Sequence, residues 1–252
     1  FENQIGDFDD LADILDHEIK IEKKNVLMVA HRGLSGLETE NTQCAFVAAG
    51  NRSYYGIETD VHATKDGKYV ISHDENLARI FGKDVFIRDL TFDEVRKVRK
   101  DENGYVPEYT VVPTLSEYLA VCKKYGKVSV LELKVDFSEE QLREIVAEVE
   151  AAGMRNDIVY ISFFDSVMVK MRAILPNAKL QFLTCEVSDR VIDFLVKYDL
   201  GIDCGYGALT KENVALMKSR GIEVNCWTVN DAADAEKLVS YGVDYITTNI
   251  LE

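Results

Sequence analysis

The sequence lacks any long apolar run. None of its stretches approaches the roughly 18 uninterrupted apolar residues that a transmembrane helix requires. Its first ten residues are acidic, whereas a secretory signal peptide begins with basic residues followed by an apolar segment. We therefore expect no membrane span in this chain and a cytoplasmic location, and leave open whether a membrane or export segment lies upstream.

Positive charge is also scarce. Against 44 Asp and Glu residues there are 29 Lys and Arg residues, which gives a net charge of −15 at pH 7. Such a surface repels nucleic acids and anionic lipid headgroups at long range, so neither is expected as a partner. If a small-molecule substrate is itself an anion, its site needs local positive charge from a metal ion, Arg or Lys. Composition does not indicate an oligomeric state.

A cysteine pattern typical of disulfides or of zinc sites is absent. The five cysteines are odd in number, and their spacing fits neither kind of site. Most of them fall within apolar helix or strand patterns, so we expect small buried side chains in a reducing compartment. They are Cys44, Cys122, Cys185, Cys204 and Cys226.

What the sequence does contain is a regular alternation of strand-like and helix-like segments. Near-continuous apolar runs of this length are typical of parallel strands that are buried on both faces. The segments between them carry helix signals, such as the capping-box pair Thr91 and Glu94 at a start and Gly242 at an end. The apolar runs occupy residues 26–30, 57–60, 128–133, 158–161, 180–183, 200–203, 224–228 and 244–247.

Eight such repeats in 252 residues favour a single domain, 1–252, with an α/β fold of the (β/α)8 TIM-barrel type. An open doubly wound sheet is the alternative. Two segments depart from the repeat: an N-terminal extension, 1–24, with helical spacing over 8–21, and an insertion after strand 2, over 61–109. Loops at the carboxyl ends of barrel strands build active sites, so we expect the insertion to lie over the site.

Charged residues interrupt two of the apolar strands near their carboxyl ends. Glu58 and Asp60 belong to the second strand, and Glu132 and Lys134 to the third. Because side chains alternate with a period of two, each pair points the same way, and three carboxylates are expected to converge. They would repel one another strongly unless they bound one divalent cation, Mg²⁺ or Ca²⁺ for an all-oxygen ligand set. The alternative is that they form internal ion pairs with Arg32 and Lys134.

Two of the four histidines are expected near these carboxylates. His31 directly follows the first strand, and His73 lies beyond Asp66-Gly67, a two-residue turn signal. A hairpin about that turn would set His73 opposite Asp60. Two histidines beside a metal-bound anion suggest general acid–base catalysis, one assisting the attacking oxygen and the other protonating the leaving oxygen. The alternative is that either histidine is a metal ligand or a core residue.

An ordered series of motifs continues along the chain. Its members are His31-Arg32-Gly33, Glu40-Asn41-Thr42, Glu58-Thr59-Asp60, Thr64-Lys65-Asp66-Gly67, His73-Asp74, Leu77, Arg79, Val112-Pro113-Thr114-Leu115, Glu132-Leu133-Lys134, Ser162-Phe163 and Trp227-Thr228-Val229-Asn230. The series resembles the signature of the glycerophosphodiester phosphodiesterases, and the similarity covers nearly the whole chain from residue 29 to residue 249.

The resemblance implies a TIM-type barrel that cleaves a glycerophosphodiester into glycerol 3-phosphate and an alcohol, with one divalent metal ion, Mg²⁺ or Ca²⁺, as cofactor. Water or the substrate's own glycerol 2-hydroxyl would be the nucleophile. Trp227 would line the pocket or bind a headgroup through a cation–π contact. The implied site residues are, for the metal, Glu58, Asp60 and Glu132; for acid–base catalysis, His31 and His73; and for the substrate and its phosphate, Arg32, Lys134 and Trp227.

Two other functions stay open. A phospholipase D-like lyase would share the barrel and act on lysophospholipids, but no exposed apolar stretch suggests membrane docking. A barrel that binds phosphodiesters without catalysis is disfavoured, because both histidines and all three carboxylates are present.

Overall fold

A closed β-sheet lies at the centre of the molecule. The computed structural model describes residues 18–99 and 111–252, which contain all of the following elements. The strands are β1 (Leu27–Ala30), β2 (Gly56–Ala63), β3 (Tyr69–Ile71), β4 (Val128–Leu133), β5 (Ile158–Ser162), β6 (Lys179–Thr184), β7 (Gly201–Gly205), β8 (Val224–Trp227) and β9 (Tyr245–Thr248). All except β3 are parallel, and β1 pairs with both β2 and β9, which closes the sheet. The predicted (β/α)8 barrel is confirmed, and the open sheet is excluded by the β1–β2 pairing.

Helices cover the outside of the barrel. In chain order they are α1 (Gln43–Gly50), α4 (Leu115–Tyr125), α5 (Glu139–Ala151), α6 (Asp165–Ile174), α7 (Asp189–Tyr198), α8 (Lys211–Ser219) and α9 (Ala232–Tyr241), while the two short helices α2 (Ala78–Phe81) and α3 (Phe92–Val95) belong to the segment after β2. Capping boxes are present at Thr91, Thr114 and Ser138. Gly242 ends α9 with a φ of 90°, a backbone angle that glycine adopts readily. These local signals explain where several of the helices begin and end.

Two apolar layers pack on either side of the strands. The larger lies between strands and helices and includes Leu131 and Ile202. The smaller fills the barrel interior and includes Val130, the direct neighbour of Leu131 on β4. Because successive side chains of a strand point to opposite faces, Glu132 points the same way as Val130, into the barrel. The carboxyl end of β4 therefore directs an acid into the barrel mouth.

A hairpin begins the segment that follows barrel strand β2. The Gly67 N–H donates to the Thr64 carbonyl at 2.9 Å, and the Thr64 N–H donates to the Lys68 carbonyl at 2.8 Å. Gly67 has a φ of 73°, in the left-handed region that this kind of turn requires. The loop therefore holds three residues, 65–67, rather than the two on which the prediction relied.

The longer loop changes the register of the hairpin. Val61 pairs with Ile71, and the Ser72 N–H donates to the Asp60 carbonyl at 3.0 Å. The prediction that His73 lies opposite Asp60 is therefore wrong by one residue. His73 instead follows directly after the paired segment, where the chain turns toward the barrel mouth.

The rest of this segment packs around a small apolar cluster of its own. The cluster contains Val70, Leu77, Phe81, Ile87, Val95 and Val112. Residues 100–110, which include the end of the predicted insertion, lie outside the described residues, so its boundaries stay a prediction.

The predicted N-terminal helix at 8–21 falls mostly outside the described residues. In the part that is described, Ile19 forms a parallel bridge with Leu251, and the Ile21 N–H donates to the Glu252 carbonyl at 2.9 Å. Within residues 18–99 and 111–252, no helix has the length and apolar character needed to cross a membrane.

Candidate active site

Three carboxylates meet at the carboxyl ends of β2 and β4. Asp60 is the register partner of Glu132, and Glu58 lies two residues before Asp60 on the same strand. One oxygen atom from each of them lies within 4.8 Å of the others. The residues are almost fully buried, with exposed fractions of 3% for Glu58, 0% for Asp60 and 7% for Glu132. The structure thus brings together the three acids that the sequence predicted to converge.

Two residues with an unusual backbone conformation support these carboxylates. Arg32 and Asn41 both have a φ of 55°, in the left-handed region that residues other than glycine seldom adopt. The Arg32 backbone N–H donates to Glu58 Oε2 at 2.8 Å, and Asn41 Nδ2 donates to Asp60 Oδ2 at 2.7 Å. Thr42 provides the cap of α1. The side chain of Asn41 is therefore available to fix the orientation of Asp60.

Two cationic side chains neutralise the carboxylates only in part. Lys134 Nζ lies 3.0 Å from Glu132 Oε1 and 3.4 Å from Asp60 Oδ1, and Arg32 Nε lies 3.8 Å from Asp60 Oδ2. Burial and the charge of Asp60 raise the pKa of Glu132 to about 7 and that of Glu58 well above its usual value. Burial also opposes ionisation of Asp60, but Lys134 and Arg32 hold its pKa below the usual range. The predicted ion pairs exist, but two cations serve three carboxyl groups.

His31 follows β1 at the same end of the barrel. Its Nδ1 atom lies 2.8 Å from Asn249 Oδ1. The amide oxygen accepts, so Nδ1 carries the proton and Nε2 keeps a lone pair. Burial, together with the positive charge of Arg32, lowers the pKa of His31 to about 4. The ring is therefore neutral near pH 7.

His73 reaches the site from the hairpin side. Its Nδ1 atom lies 2.6 Å from Asp74 Oδ1, a contact that orients the ring. Burial, with the positive charges of Lys134 and Arg32, lowers the pKa of His73, and the charge of Asp60 and the hydrogen bond to Asp74 oppose this shift without cancelling it. His62, which had no predicted catalytic role, lies behind it with Nε2 3.3 Å from the His73 carbonyl oxygen.

A chain of charged hydrogen bonds connects the neighbourhoods of the two histidines. Asp74 Oδ2 accepts from Arg79 Nε at 2.5 Å. Arg79 donates two further bonds to Glu40, at 2.8 and 2.9 Å. Glu40 Oε1 also accepts from Arg32 Nη1 at 2.8 Å. The segment after β2 is thereby tied to the loop that carries His31 and Arg32.

These residues lie within a region that matches a known protein family. The sequence profile of the Glycerophosphoryl diester phosphodiesterase family matches residues 31–252. The chain belongs to this family.

Individual members of the family support the assignment. A glycerophosphodiester phosphodiesterase of Bacillus subtilis (strain 168) is 29% identical over 244 residues, which cover 89% of this chain and 83% of that protein. A phosphodiesterase from Oleispira antarctica, solved in complex with the product sn-glycerol-3-phosphate, has a TM-score of 0.81 and 26% identity, over 91% of this chain and 95% of that one. A glycerophosphodiester phosphodiesterase from Parabacteroides distasonis has a TM-score of 0.75 and 28% identity, over 89% and 93%. The family and these relatives identify the chain as a phosphodiesterase.

In this phosphodiesterase Glu58, Glu132 and the two imidazoles line a cavity of about 130 Å³, and Asp60 lies beside the two glutamates. Trp227, predicted to line the pocket or to bind a headgroup, lines it. Its ring meets that of Phe163 edge to face, with the centroids 5.8 Å apart. The residues that line the remaining walls are Ile161, Phe163, Leu183, Asp203, Trp227 and Thr247. This side of the mouth is mainly apolar, unlike the side that carries the acids.

Two residues of the site were missed in the sequence. Asn249, which bonds to His31, follows the last strand directly, and its only signal was a polar residue at a strand's carboxyl end. Asp203 closes the apolar run at 200–203 in the way that Asp60 closes the run at 57–60. The same strand-end argument that singled out Asp60 therefore pointed to Asp203.

Proposed function

We propose that this chain hydrolyses glycerophosphodiesters to glycerol 3-phosphate and an alcohol, with one divalent cation and two histidines acting as base and acid. The observation that carries the proposal is that Glu58, Glu132, His31 and His73 line one cavity, with Asp60 grouped beside the two glutamates. Phosphodiester hydrolysis needs positive charge at the phosphate, activation of the attacking oxygen and protonation of the leaving oxygen. The product bound by the Oleispira antarctica relative supports glycerol 3-phosphate as the product here.

Glu58, Asp60 and Glu132 are the proposed metal ligands. Two observations fit a cation at this position: Asp60 Oδ1 is buried and forms no hydrogen bond with a described residue, only the 3.4 Å ion pair with Lys134, and the pKa values of Glu58 and Glu132 are raised. An all-oxygen donor set suits Mg²⁺ or Ca²⁺ better than zinc or copper. When bound, the ion supplies Lewis-acid stabilisation of charge on the phosphate oxygens.

Arg32 and Lys134 are the proposed phosphate-binding residues. Glu40 holds one end of the Arg32 guanidinium at 2.8 Å, while Arg32 Nε is buried and donates to no described residue. This N–H, which lies 3.8 Å from Asp60 Oδ2 without a hydrogen bond to it, is suited to a non-bridging phosphate oxygen. Lys134, beside Glu132, adds a charge that can move between the carboxylates and the phosphate.

His31 is the proposed base and His73 the proposed acid. His31 is neutral, and its Nε2 lone pair is free to accept a proton because Nδ1 bonds to Asn249. The pKa of His73 is lowered as well, but the Asp74 carboxylate favours its protonated form, and an anionic phosphate in the cavity would do so further. His73 then gives its proton to the leaving alkoxide. His31 releases to solvent the proton that it took up, and His73 takes up a new proton from solvent, which restores the starting state.

The attacking oxygen belongs either to water or to the glycerol 2-hydroxyl of the substrate. In the second route His31 removes the proton of that hydroxyl, the alcohol leaves, and a cyclic phosphate forms that water opens in a later step. Phosphorus NMR during turnover separates the two routes, since a transient cyclic phosphate signal excludes direct hydrolysis as the sole route.

The proposal is tested by a coupled glycerol 3-phosphate assay across several alcohol headgroups, before and after treatment with EDTA. We expect glycerol 3-phosphate from at least one glycerophosphodiester, loss of activity in EDTA and recovery with Mg²⁺ or Ca²⁺. Full activity after exhaustive EDTA treatment would refute the metal requirement. Absence of glycerol 3-phosphate from every metal-loaded reaction would refute the activity itself.

A lyase that acts on lysophospholipids is the second candidate, because two aromatic residues at the barrel mouth are exposed. Phe163 is 44% exposed and Phe164 is 39% exposed, and such side chains can contact an acyl chain. Glycerophosphocholine and lysophosphatidylcholine distinguish the two functions. Faster release of choline from the lysophospholipid, with a cyclic lipid phosphate as product, would favour the lyase.

A further inference from the structure

A buried carboxyl group without a hydrogen-bond partner among the described residues lies on the cavity wall across the barrel from the two acids of β2. Asp203 is 2% exposed, and its Oδ1 atom is buried without a hydrogen bond to any described residue. Its backbone carbonyl is occupied, since it accepts from Trp227 Nε1 at 3.2 Å. The side chain lines the same cavity as His31 and Glu132. No step of the proposed hydrolysis uses it.

The topology of the barrel sets the distance between Asp203 and the acidic cluster. Asp203 is on β7, and three barrel strands separate β7 from β2 in either direction: β4, β5 and β6 on one side, and β8, β9 and β1 on the other. The two strands therefore face each other across the barrel. A ligand whose phosphate lies beside Arg32 and the acids of β2 extends toward Asp203.

The residues around Asp203 determine which kind of chemical group a ligand can place there. Neighbouring wall residues are apolar, as with Leu183 and Ile161, and the described residues form no ion pair with its carboxyl group. Burial and the nearby charge of Glu132 raise the pKa of Asp203 well above its usual value. A neutral carboxyl group both donates and accepts a hydrogen bond, as a hydroxyl does. An anionic group at this end would meet no cationic side chain beside Asp203 among the described residues.

The size of the cavity and the covalent structure of glycerol indicate which substrate hydroxyl reaches Asp203. Pockets that enclose whole drug-sized ligands usually measure roughly 300–1,000 Å³, so a cavity of about 130 Å³ encloses only a small fragment. Glycerol is such a fragment, whereas the alcohol headgroup varies in size. The glycerol 2-hydroxyl is next to the phosphate-bearing carbon, and the terminal 1-hydroxyl is farthest from the phosphate. The 1-hydroxyl is thus the group that reaches across the barrel.

On this basis, and resting on the proposed function, we propose that Asp203 hydrogen-bonds the terminal glycerol hydroxyl of the substrate. Asp203 then selects glycerophosphodiesters over phosphodiesters that lack this hydroxyl. A site with a buried polar group discriminates strongly against a ligand that leaves the group unpaired. The unpartnered carboxyl oxygen is explained in the same way, because the substrate supplies its partner.

A matched pair of substrates tests the proposal. Glycerophosphocholine carries the terminal hydroxymethyl group, and the 2-hydroxyethyl diester of phosphocholine lacks it but keeps the hydroxyl next to the phosphate. For Asp203→Ala we expect kcat/KM to fall about 10–100-fold with glycerophosphocholine and less than about 3-fold with the truncated diester. Calorimetry on the metal-loaded variant should give the same contrast between sn-glycerol 3-phosphate and 2-hydroxyethyl phosphate.

Two variants serve as controls. Asp203→Asn keeps a donor and an acceptor in a similar shape and should retain most of the preference for glycerophosphocholine. Asp193→Ala removes an exposed acid from α7 and should leave kcat/KM unchanged with both substrates. Equal losses with both substrates, or no loss with either, would overturn the proposal. A wild-type protein that releases glycerol 3-phosphate from no glycerophosphodiester would refute the proposed function, and the two calorimetric titrations would still decide the role of Asp203.

Discussion

The two halves of the barrel mouth are built on different physical principles. On β1, β2, β4 and the hairpin, polar side chains are buried and most are held by hydrogen-bond partners, as His31 is by Asn249. On β5 to β8 the wall is largely apolar, with the ring of Phe163 packed against that of Trp227. Fixed charges suit the chemical step, while an apolar wall selects by shape. We therefore expect changes in the first half to lower turnover and changes in the second to alter substrate preference.

A large loss of turnover is expected for His73→Ala, which removes the proposed acid from the charged half. Turnover should fall by roughly 10²–10⁴-fold, because protonation of the leaving oxygen is lost. Metal content should stay that of the wild type, since His73 is not among the proposed ligands. Steady-state kinetics and metal analysis measure the two quantities. Full turnover of the variant would show the acid–base assignment to be wrong.

A smaller loss is expected for Asp74→Asn in the same half. The carboxylate that stabilises protonated His73 becomes a neutral amide. Hydrogen bonds to charged groups contribute about 1.5–3 kcal/mol, so kcat should fall roughly 10–100-fold. The pH profile of kcat should be measured as well. The pH at which kcat declines because His73 loses its proton should move to a lower value. Asp84→Asn changes an exposed acid of the same segment and should have no effect; an equal effect of both variants would contradict the role of Asp74.

In the apolar half, Phe163→Ala should change substrate preference rather than turnover. The edge-to-face contact with Trp227 is worth about 0.5–1.5 kcal/mol, so KM should rise roughly 2–10-fold for a bulky headgroup. Phe164→Ala is the matched control, because Phe164 is similarly exposed but does not line the cavity. A fall in kcat for Phe163→Ala at unchanged KM would contradict the division between the halves.

The smallest effect concerns stability in the absence of metal. Glu132 has a folded-state pKa of about 7 against a usual value of 4.5, so the folded protein binds this proton more readily than the unfolded chain. Its ionisation therefore lowers the stability of the metal-free protein as the pH rises from 4.5 to 7. Glu132→Gln should reduce the change in melting temperature over this interval by an amount on the order of a few degrees. An identical pH dependence in both proteins, followed by calorimetry in EDTA, would contradict this.

Much of the charged half could be predicted from the sequence, because it depends on strand periodicity. Glu58 and Asp60 are two residues apart on one strand, and an acid at the end of the next strand joins them when the strands are parallel. The register of the hairpin could not be predicted in the same way. It depends on whether Gly67 closes a two- or three-residue loop, and Asp-Gly is compatible with both.

Contacts between residues that are far apart in the sequence could not be predicted either. The bond between His31 and Asn249 joins residues 218 apart, and no local pattern relates them before the barrel closes. The role of Asn41 was equally ambiguous, since asparagine is also a good helix cap, and only the position of Thr42 at the start of α1 decides between the two. On the apolar wall, Phe163 and Trp227 belong to the motif series, whereas Ile161 and Leu183 gave no signal beyond that of ordinary core residues.

The most direct test of the metal-centred mechanism is a metal titration of the EDTA-treated protein by isothermal calorimetry, for the wild type and for Asp60→Asn. The mechanism predicts one Mg²⁺ or Ca²⁺ bound per wild-type chain, with activity recovering in proportion to occupancy, and no saturable binding or activity in Asp60→Asn. Wild-type activity that is complete without bound metal, or equal metal binding by both proteins, would contradict it.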